Sequence, residues 1–195
     1  APVFKNDILY AGANDGMLHA FDANTGQELF AYVPNLVFAN LSYLASPNYT
    51  HLYYVDLTPS IEDVFLAGDK TTMLVGGLRK GGRGYFALDL TGFTPDTVPS
   101  SELELASHVM WEYPNLTTPV GEIADLGYSF SRVTIAKTND AGTPWVVIFG
   151  NGYNSTDTNN GKDSRISSTG NGVIFVVDVE DGSIIKKFDT GVGIA

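Results

Sequence analysis

Met17-Leu18-His19-Ala20-Phe21-Asp22 is a short strand ending on an aspartate, and Gly26 follows that aspartate by four positions. The arrangement returns twice. Tyr85-Phe86-Ala87-Leu88-Asp89 is followed by Gly92, three positions on, and Val173 to Asp178 by Gly182, again four positions on. An aspartate carboxylate accepts hydrogen bonds from backbone N–H groups two or three residues along, and glycine supplies the positive φ that closes such a turn. Any hairpin protein collects turns of this kind. Three copies, each at the end of a comparable strand, predict a repeated unit.

The flanking sequence fits the same plan. In the first unit Ile8 to Gly12 precedes the aspartate strand, and Leu29 to Val33 follows it. In the second these places are taken by Met73 to Gly77 and Val109 to Tyr113; in the third by Trp145 to Gly150 and Ile184 to Phe188. A fourth strand opens the second unit at Ser60 to Ala67. Another opens the third at Phe130 to Lys137, joined to Trp145 by the turn-forming Thr138 to Gly142. The first unit reads as short of its opening strand.

Four antiparallel strands per repeat make the blade of a β-propeller. The expected fold is therefore all-β: a propeller segment of about three four-stranded antiparallel blades, the first incomplete. The blades are placed at about residues 1–34, 58–114 and 128–190 of a single domain spanning 1–195, with an insertion at 35–57. Three blades fall short of the four to eight of a closed ring. The reading is thus part of a larger propeller whose end faces are open unless other segments cover them.

The loops between strands are uneven. Within Pro34 to Tyr54, the spacing of Leu36, Val37, Phe38, Leu41 and Leu44 predicts a short amphipathic helix. Thr91 to Ser107 reads as a surface excursion, and the polar Asn151 to Asn171 as an exposed loop. Long loops on a rigid sheet are where binding usually resides. The candidate contact residues are therefore Tyr43, Tyr49, Tyr53, Tyr153 and Asn154, with loop packing as the alternative for each.

Composition narrows the function classes. A formal charge of −11 argues against a nucleic-acid partner, which draws on clustered Lys and Arg. The small basic group Arg79, Lys80 and Arg83 reads as a solvated hairpin tip. There is no cysteine, so disulfides and cysteine-based metal sites are excluded. No apolar run approaches the roughly 20 residues of a membrane-spanning helix, and Ala1 to Lys5 lacks the pattern of a signal peptide.

Motifs of chemistry are likewise thin. His19, His51 and His108 share no ligand spacing, and His19 reads as a packed strand histidine. Asn14-Asp15-Gly16 reads as a type I′ hairpin turn. Asp157 to Asp163 fails the calcium-loop template, with Gly161 at position five and Ser168 at position twelve. Gly81-Gly82-Arg83-Gly84 lacks the Lys-Ser/Thr of a phosphate loop. Glu102 and Glu104 read as a solvated face. No residue is assigned a catalytic, cofactor-binding or metal-binding role.

Two resemblances add to this. Ala20-Phe21-Asp22-Ala23-Asn24-Thr25-Gly26-Gln27-Glu28-Leu29-Phe30 resembles the docking motif that locks adjacent blades in quinoprotein-type propellers, with Phe30 where Trp is usual. The motif is structural and does not by itself imply a quinone. More specifically, a series of motifs along nearly the whole chain resembles the C-terminal propeller of the PilY/PilC family. They are Tyr10 to Asp22, Phe30 to Pro34, Tyr53 to Asp56, Leu74 to Leu78, Gly81 to Asp89, Leu126 to Phe130 and Phe149 to Asn154, in that order.

The second resemblance implies a type IV pilus tip-associated adhesin and biogenesis factor of a Gram-negative bacterium. Such a protein would support pilus extension, twitching motility and attachment. The implied partners are pilins, minor pilins, other pilus-tip components, a host or surface receptor and the rest of the propeller. The implied location is the cell surface or pilus tip, whether held at the outer membrane or secreted. The family's calcium loop is expected just beyond Ala195, so no cofactor is assigned within the chain. The alternatives are a quinoprotein-type dehydrogenase propeller and a scaffold for outer-membrane protein assembly.

Overall fold

The structure is a computed structural model, and it describes residues 1–140, 142, 144–152 and 171–191. Twelve strands among these residues form three four-stranded antiparallel sheets. The first holds β1 (Val3–Lys5), β2 (Ile8–Gly12), β3 (Leu18–Asp22) and β4 (Glu28–Tyr32). The second holds β5 (Ser60–Leu66), β6 (Asp69–Gly77), β7 (Tyr85–Asp89) and β8 (Val109–Tyr113). The third holds β9 (Thr134–Lys137), β10 (Trp145–Gly150), β11 (Val173–Asp178) and β12 (Ile184–Asp189). Each sheet keeps chain order from one edge to the other. The first strands β1, β5 and β9 lie side by side, as at the hub of a propeller.

The sheets stack face to face, and the residue pattern shows why. Along β2 and β3 one face is buried at Ile8, Tyr10, Leu18 and Ala20, while Leu9, Ala11, His19 and Phe21 on the other are partly exposed. The middle sheet is covered on both sides, so its strands read as continuous apolar runs rather than alternations. Leu74, Phe86 and Leu88 face the first sheet. Met73, Val75, Tyr85 and Ala87 point the other way, into Val147, Phe149, Phe175 and Val177 of the third. There is thus one apolar core per seam between blades.

Four expectations are corrected. The first unit does have its opening strand: β1 pairs with β2 from Val3↔Tyr10 to Lys5↔Ile8. The connecting residues Asn6 (φ 51°) and Asp7 (φ 60°) are both left-handed, as a type I′ turn requires. The turn expected at Asn14-Asp15-Gly16 is instead a five-residue loop, residues 13–17, in which only Gly16 has positive φ (101°). The Asp15 carboxylate caps it by accepting from Met17 N–H at 3.0 Å. The strand expected from Phe130 begins only at Thr134, because Ser129 and Ser131 are engaged by the neighbouring blade. Arg83 is buried rather than solvated, its guanidinium 5.5 Å from the centre of the Tyr128 ring.

The connections carry little helix. The insertion forms α1 (Asn35–Phe38) and a 3₁₀ turn at Leu41–Ala45. The excursion after β7 ends in α2 (Glu102–Ser107), whose first turn is capped by the Ser101 hydroxyl accepting from Glu104 N–H. A short α3 (Val120–Ile123) precedes β9. Among the described residues no helix is long and apolar enough to cross a membrane.

Candidate functional site

The insertion after β4 doubles back as a strap over the loops of the first two blades. Its start is fixed by Glu112 on β8. That carboxylate accepts from the Tyr32 hydroxyl at 2.6 Å, from Asn35 N–H at 2.7 Å and from Leu36 N–H at 3.2 Å. One blade thereby holds the chain leaving the other. The far end is laced by backbone bonds: Val55 N–H to Ala13 O (3.1 Å), Asp56 N–H to Leu78 O (3.3 Å) and Leu57 N–H to Gly77 O (3.2 Å). The strap passes so close to residue 81 that a Cβ there would lie 1.8 Å from Tyr54 O, so only glycine fits.

The strap places aromatic rings and cations together. Tyr53 is 39% exposed; Lys80 Nζ sits 4.8 Å from its ring centre and the His51 ring meets it edge-on at 4.9 Å. The Asn14 amide nitrogen lies 3.5 Å from His51 Nε2. Tyr49 is 41% exposed, and its hydroxyl accepts from Leu52 N–H. Tyr43 is half-buried. Next to Lys80, Arg79 reaches Asp56 at 3.6 Å and stacks over Phe130 at 5.4 Å. Arg79 adopts a left-handed φ of 50°, which non-glycine residues rarely do. Tyr49 and Tyr53, taken from the sequence as loop positions, thus share one exposed surface. Tyr153, Asn154 and the Asp157 to Asp163 segment lie outside the described residues.

Sequence reasoning did not find His51, Arg79 and Lys80 as neighbours of Tyr53. His51 lies two residues from Tyr53 in the same loop, but Arg79 and Lys80 come from the loop after β6, and no local spacing joins the two. The same is true of Glu112. Flat rings with cation–π partners suit association, and among the described residues of this surface no nucleophile is paired with a base.

The glycine-rich loop that superficially resembles a phosphate cradle has its polar groups committed elsewhere. Gly84 N–H donates to Ser129 Oγ at 2.7 Å, and Ser129 N–H donates to Gly82 O at 3.2 Å. Ser129 is fully buried. The neighbouring Tyr85 hydroxyl donates to Ser131 O at 2.9 Å, and Ser131 Oγ in turn accepts from Gly150 N–H. The loop is a latch between the second and third blades.

The aspartate turns serve the same end. Asp22 accepts from Asn24 N–H (2.8 Å) and the Thr25 hydroxyl (2.6 Å), and the Thr25 bond above all holds its carboxyl below the usual range. Gly26, Gly92 and Gly182 close the three turns at φ 76°, 78° and 71°. A ring from the preceding blade docks on Gly182, whereas nothing packs on the Cβ side of Gly92. Trp111 packs on Gly182 and donates its indole N–H to Val179 O at 2.9 Å. Phe30 meets Phe93, next to Gly92, edge-on at 6.0 Å.

At the hub, Asp63 on β5 binds Lys5 of β1 at 3.0 Å, Lys70 of β6 at 2.9 Å and the Thr72 hydroxyl at 2.8 Å. The Lys70 and Thr72 hydrogen bonds outweigh burial, and with Lys5 they hold its carboxyl well below the usual carboxylate range. His19 is packed on Phe21, as expected of a strand histidine, and is also held between Glu28 (2.5 Å) and Asp15 (2.8 Å). Burial lowers its pKa, but the two carboxylates outweigh that and raise it.

Comparison with known proteins follows the same lines. The family described as the PilY1 beta-propeller domain matches residues 3–194. A type IV pilus biogenesis factor PilY1 homolog of Xylella fastidiosa is 40% identical over 95% of this chain and 11% of its own length. The type IV pilus biogenesis factor PilY1 of Pseudomonas aeruginosa (strain UCBPP-PA14) is 39% identical over 95% of this chain and 14% of its own length. The chain therefore spans about a tenth to a seventh of these curated relatives. The crystal structure of the Pseudomonas aeruginosa PilY1 C-terminal domain superposes with a TM-score of 0.63 at 34% identity, covering 95% of this chain and 31% of that one.

Proposed function

This chain belongs to the PilY1 β-propeller family, and from that premise we propose that it is a non-enzymatic binding and assembly module of a type IV pilus biogenesis factor. It supports pilus extension, twitching motility and attachment. Its partners are pilins, minor pilins and other pilus-tip components, together with a surface receptor. It works at the cell surface, at or near the pilus tip.

The observation that carries this reading is the family match over residues 3–194. The surface around Tyr49, Tyr53, His51, Arg79 and Lys80 supports the binding part, since it presents rings and cations from loops fixed on a rigid sheet. The quinoprotein-enzyme reading rested on the Ala20 to Phe30 docking motif, whose Asp22 carboxylate is bonded within its own turn.

The test is deletion of the codons for residues 1–195 from the gene in its native bacterium. Surface pili and twitching zones are expected to be lost while intracellular pilin remains. Normal piliation in the deletion strain would sink the proposal.

A further inference from the structure

At the outer rim of the seam between the first two blades lies a half-enclosed cleft of about 260 Å³. Phe30 and Val33 form one wall, Leu90 and Phe93 the floor, and α2 with His108 the other wall. The lining is mainly apolar, and its side-chain donors are committed: the Tyr32 hydroxyl donates to Glu112. His108 Nδ1 faces Asp89 O at 3.0 Å. A carbonyl only accepts, so Nδ1 carries the ring proton, and in the neutral ring Nε2 is left as an acceptor. Glu102, on the first turn of α2, adds a carboxylate. The carboxylates of Asp89 and Glu112 near this seam are already bonded, to Thr91 and to Tyr32 with the start of α1.

We propose that this cleft is a binding site for a small arylalkyl ammonium ion. Two phenylalanine rings and the aliphatic floor receive the aromatic body, and the cleft is large enough for a single ring. Glu102 and His108 Nε2 receive N–H donors, and the chain's formal charge of −11 favours a cation over an anion. A carboxylate-bearing analogue of the same shape would bring a third acceptor into a site whose side-chain donors, the Tyr32 hydroxyl and His108 Nδ1–H, are already bonded.

Isothermal titration calorimetry of the whole chain at about pH 8 provides the test. Phenethylammonium is expected to bind saturably with a Kd below about 1 mM, and phenylacetate not to saturate. Glu102→Gln should weaken phenethylammonium about fivefold. Ala106→Phe, on the exposed side of α2, should fill the cleft and abolish binding with an unchanged Tm. Equal binding of phenylacetate, full affinity in Ala106→Phe, or no saturation by phenethylammonium up to about 10 mM would each overturn the proposal.

Discussion

The two seams between blades each place a ring of the preceding blade near the aspartate turn of the next, but the rings differ in size and reach. In the second seam the docked ring is Trp111, which covers Gly182 and reaches Val179 O with its N–H. Behind it Tyr85, Phe149 and Phe175 stack at 4.2 and 5.3 Å, and Ser129 and Ser131 latch the loops. In the first seam the ring at this position is Phe30, smaller and without a donor; it meets Phe93 without covering Gly92, and an open cleft remains beside it. The first seam is closed elsewhere by polar joints: Glu112 on the strap, and Asp63 between Lys5 and Lys70. The comparison teaches that blades meet beside the aspartate turn, and that ring size decides whether the joint reaches the turn and is solid or leaves room for a ligand.

The strongest way to break this picture is Gly182→Val. A Cβ at this position would lie 2.7 Å from Trp111 Cδ2, and the φ of 71° is hostile to a β-branched residue. We expect a loss of about 3–4 kcal/mol, read by urea unfolding with tryptophan fluorescence. A loss below about 1 kcal/mol would mean that the turn does not set the seam. Next, Ser129→Ala leaves the buried Gly84 N–H without its acceptor and should cost about 2 kcal/mol. Hydrogen exchange at Gly84 would accelerate in the variant; unchanged protection would remove the latch from the account.

The first seam predicts a smaller, pH-dependent effect. Asp63 has a depressed folded-state pKa, so its contribution is present above the ordinary carboxylate value near 4 and fades as pH falls through the depressed one. Its side chain is 31% exposed, and solvent screening limits the contribution to about 1 kcal/mol. Asp63→Asn should therefore lower Tm at neutral pH, with the gap to wild type narrowing in acid. A gap independent of pH would show that the Lys5 and Lys70 contacts are not electrostatic.

Much of this was legible in the chain itself. The Asp-to-Gly turns, the two-sided apolar runs of β6 and β7 and the repeat of four strands are local patterns, and each appears where local chemistry places it. The opening strand of the first blade was hidden because it is three residues long. Its turn is made by Asn6 and Asp7, which reach left-handed φ without the glycine that advertises such turns. Asn14-Asp15-Gly16 carried that advertisement but became a longer loop, whose aspartate caps Met17 and pairs with His19. Tyr49 and Tyr53 were readable as exposed loop residues. Their neighbours Lys80 and Arg79 were not, because backbone bonds between distant loops bring them together. Arg83 looked solvated because charge normally is; burial over Tyr128 depends on the neighbouring blade.

A reciprocal exchange of the two docking rings tests the account most directly. Equilibrium unfolding of Trp111→Phe should show a loss of about 1–2 kcal/mol, from a new void and a lost N–H bond. Phe30→Trp should instead hold stability or raise it by about 0.5 kcal/mol by filling the cleft. A neutral Trp111→Phe, or equal losses in both variants, would contradict the claim that ring size distinguishes the seams.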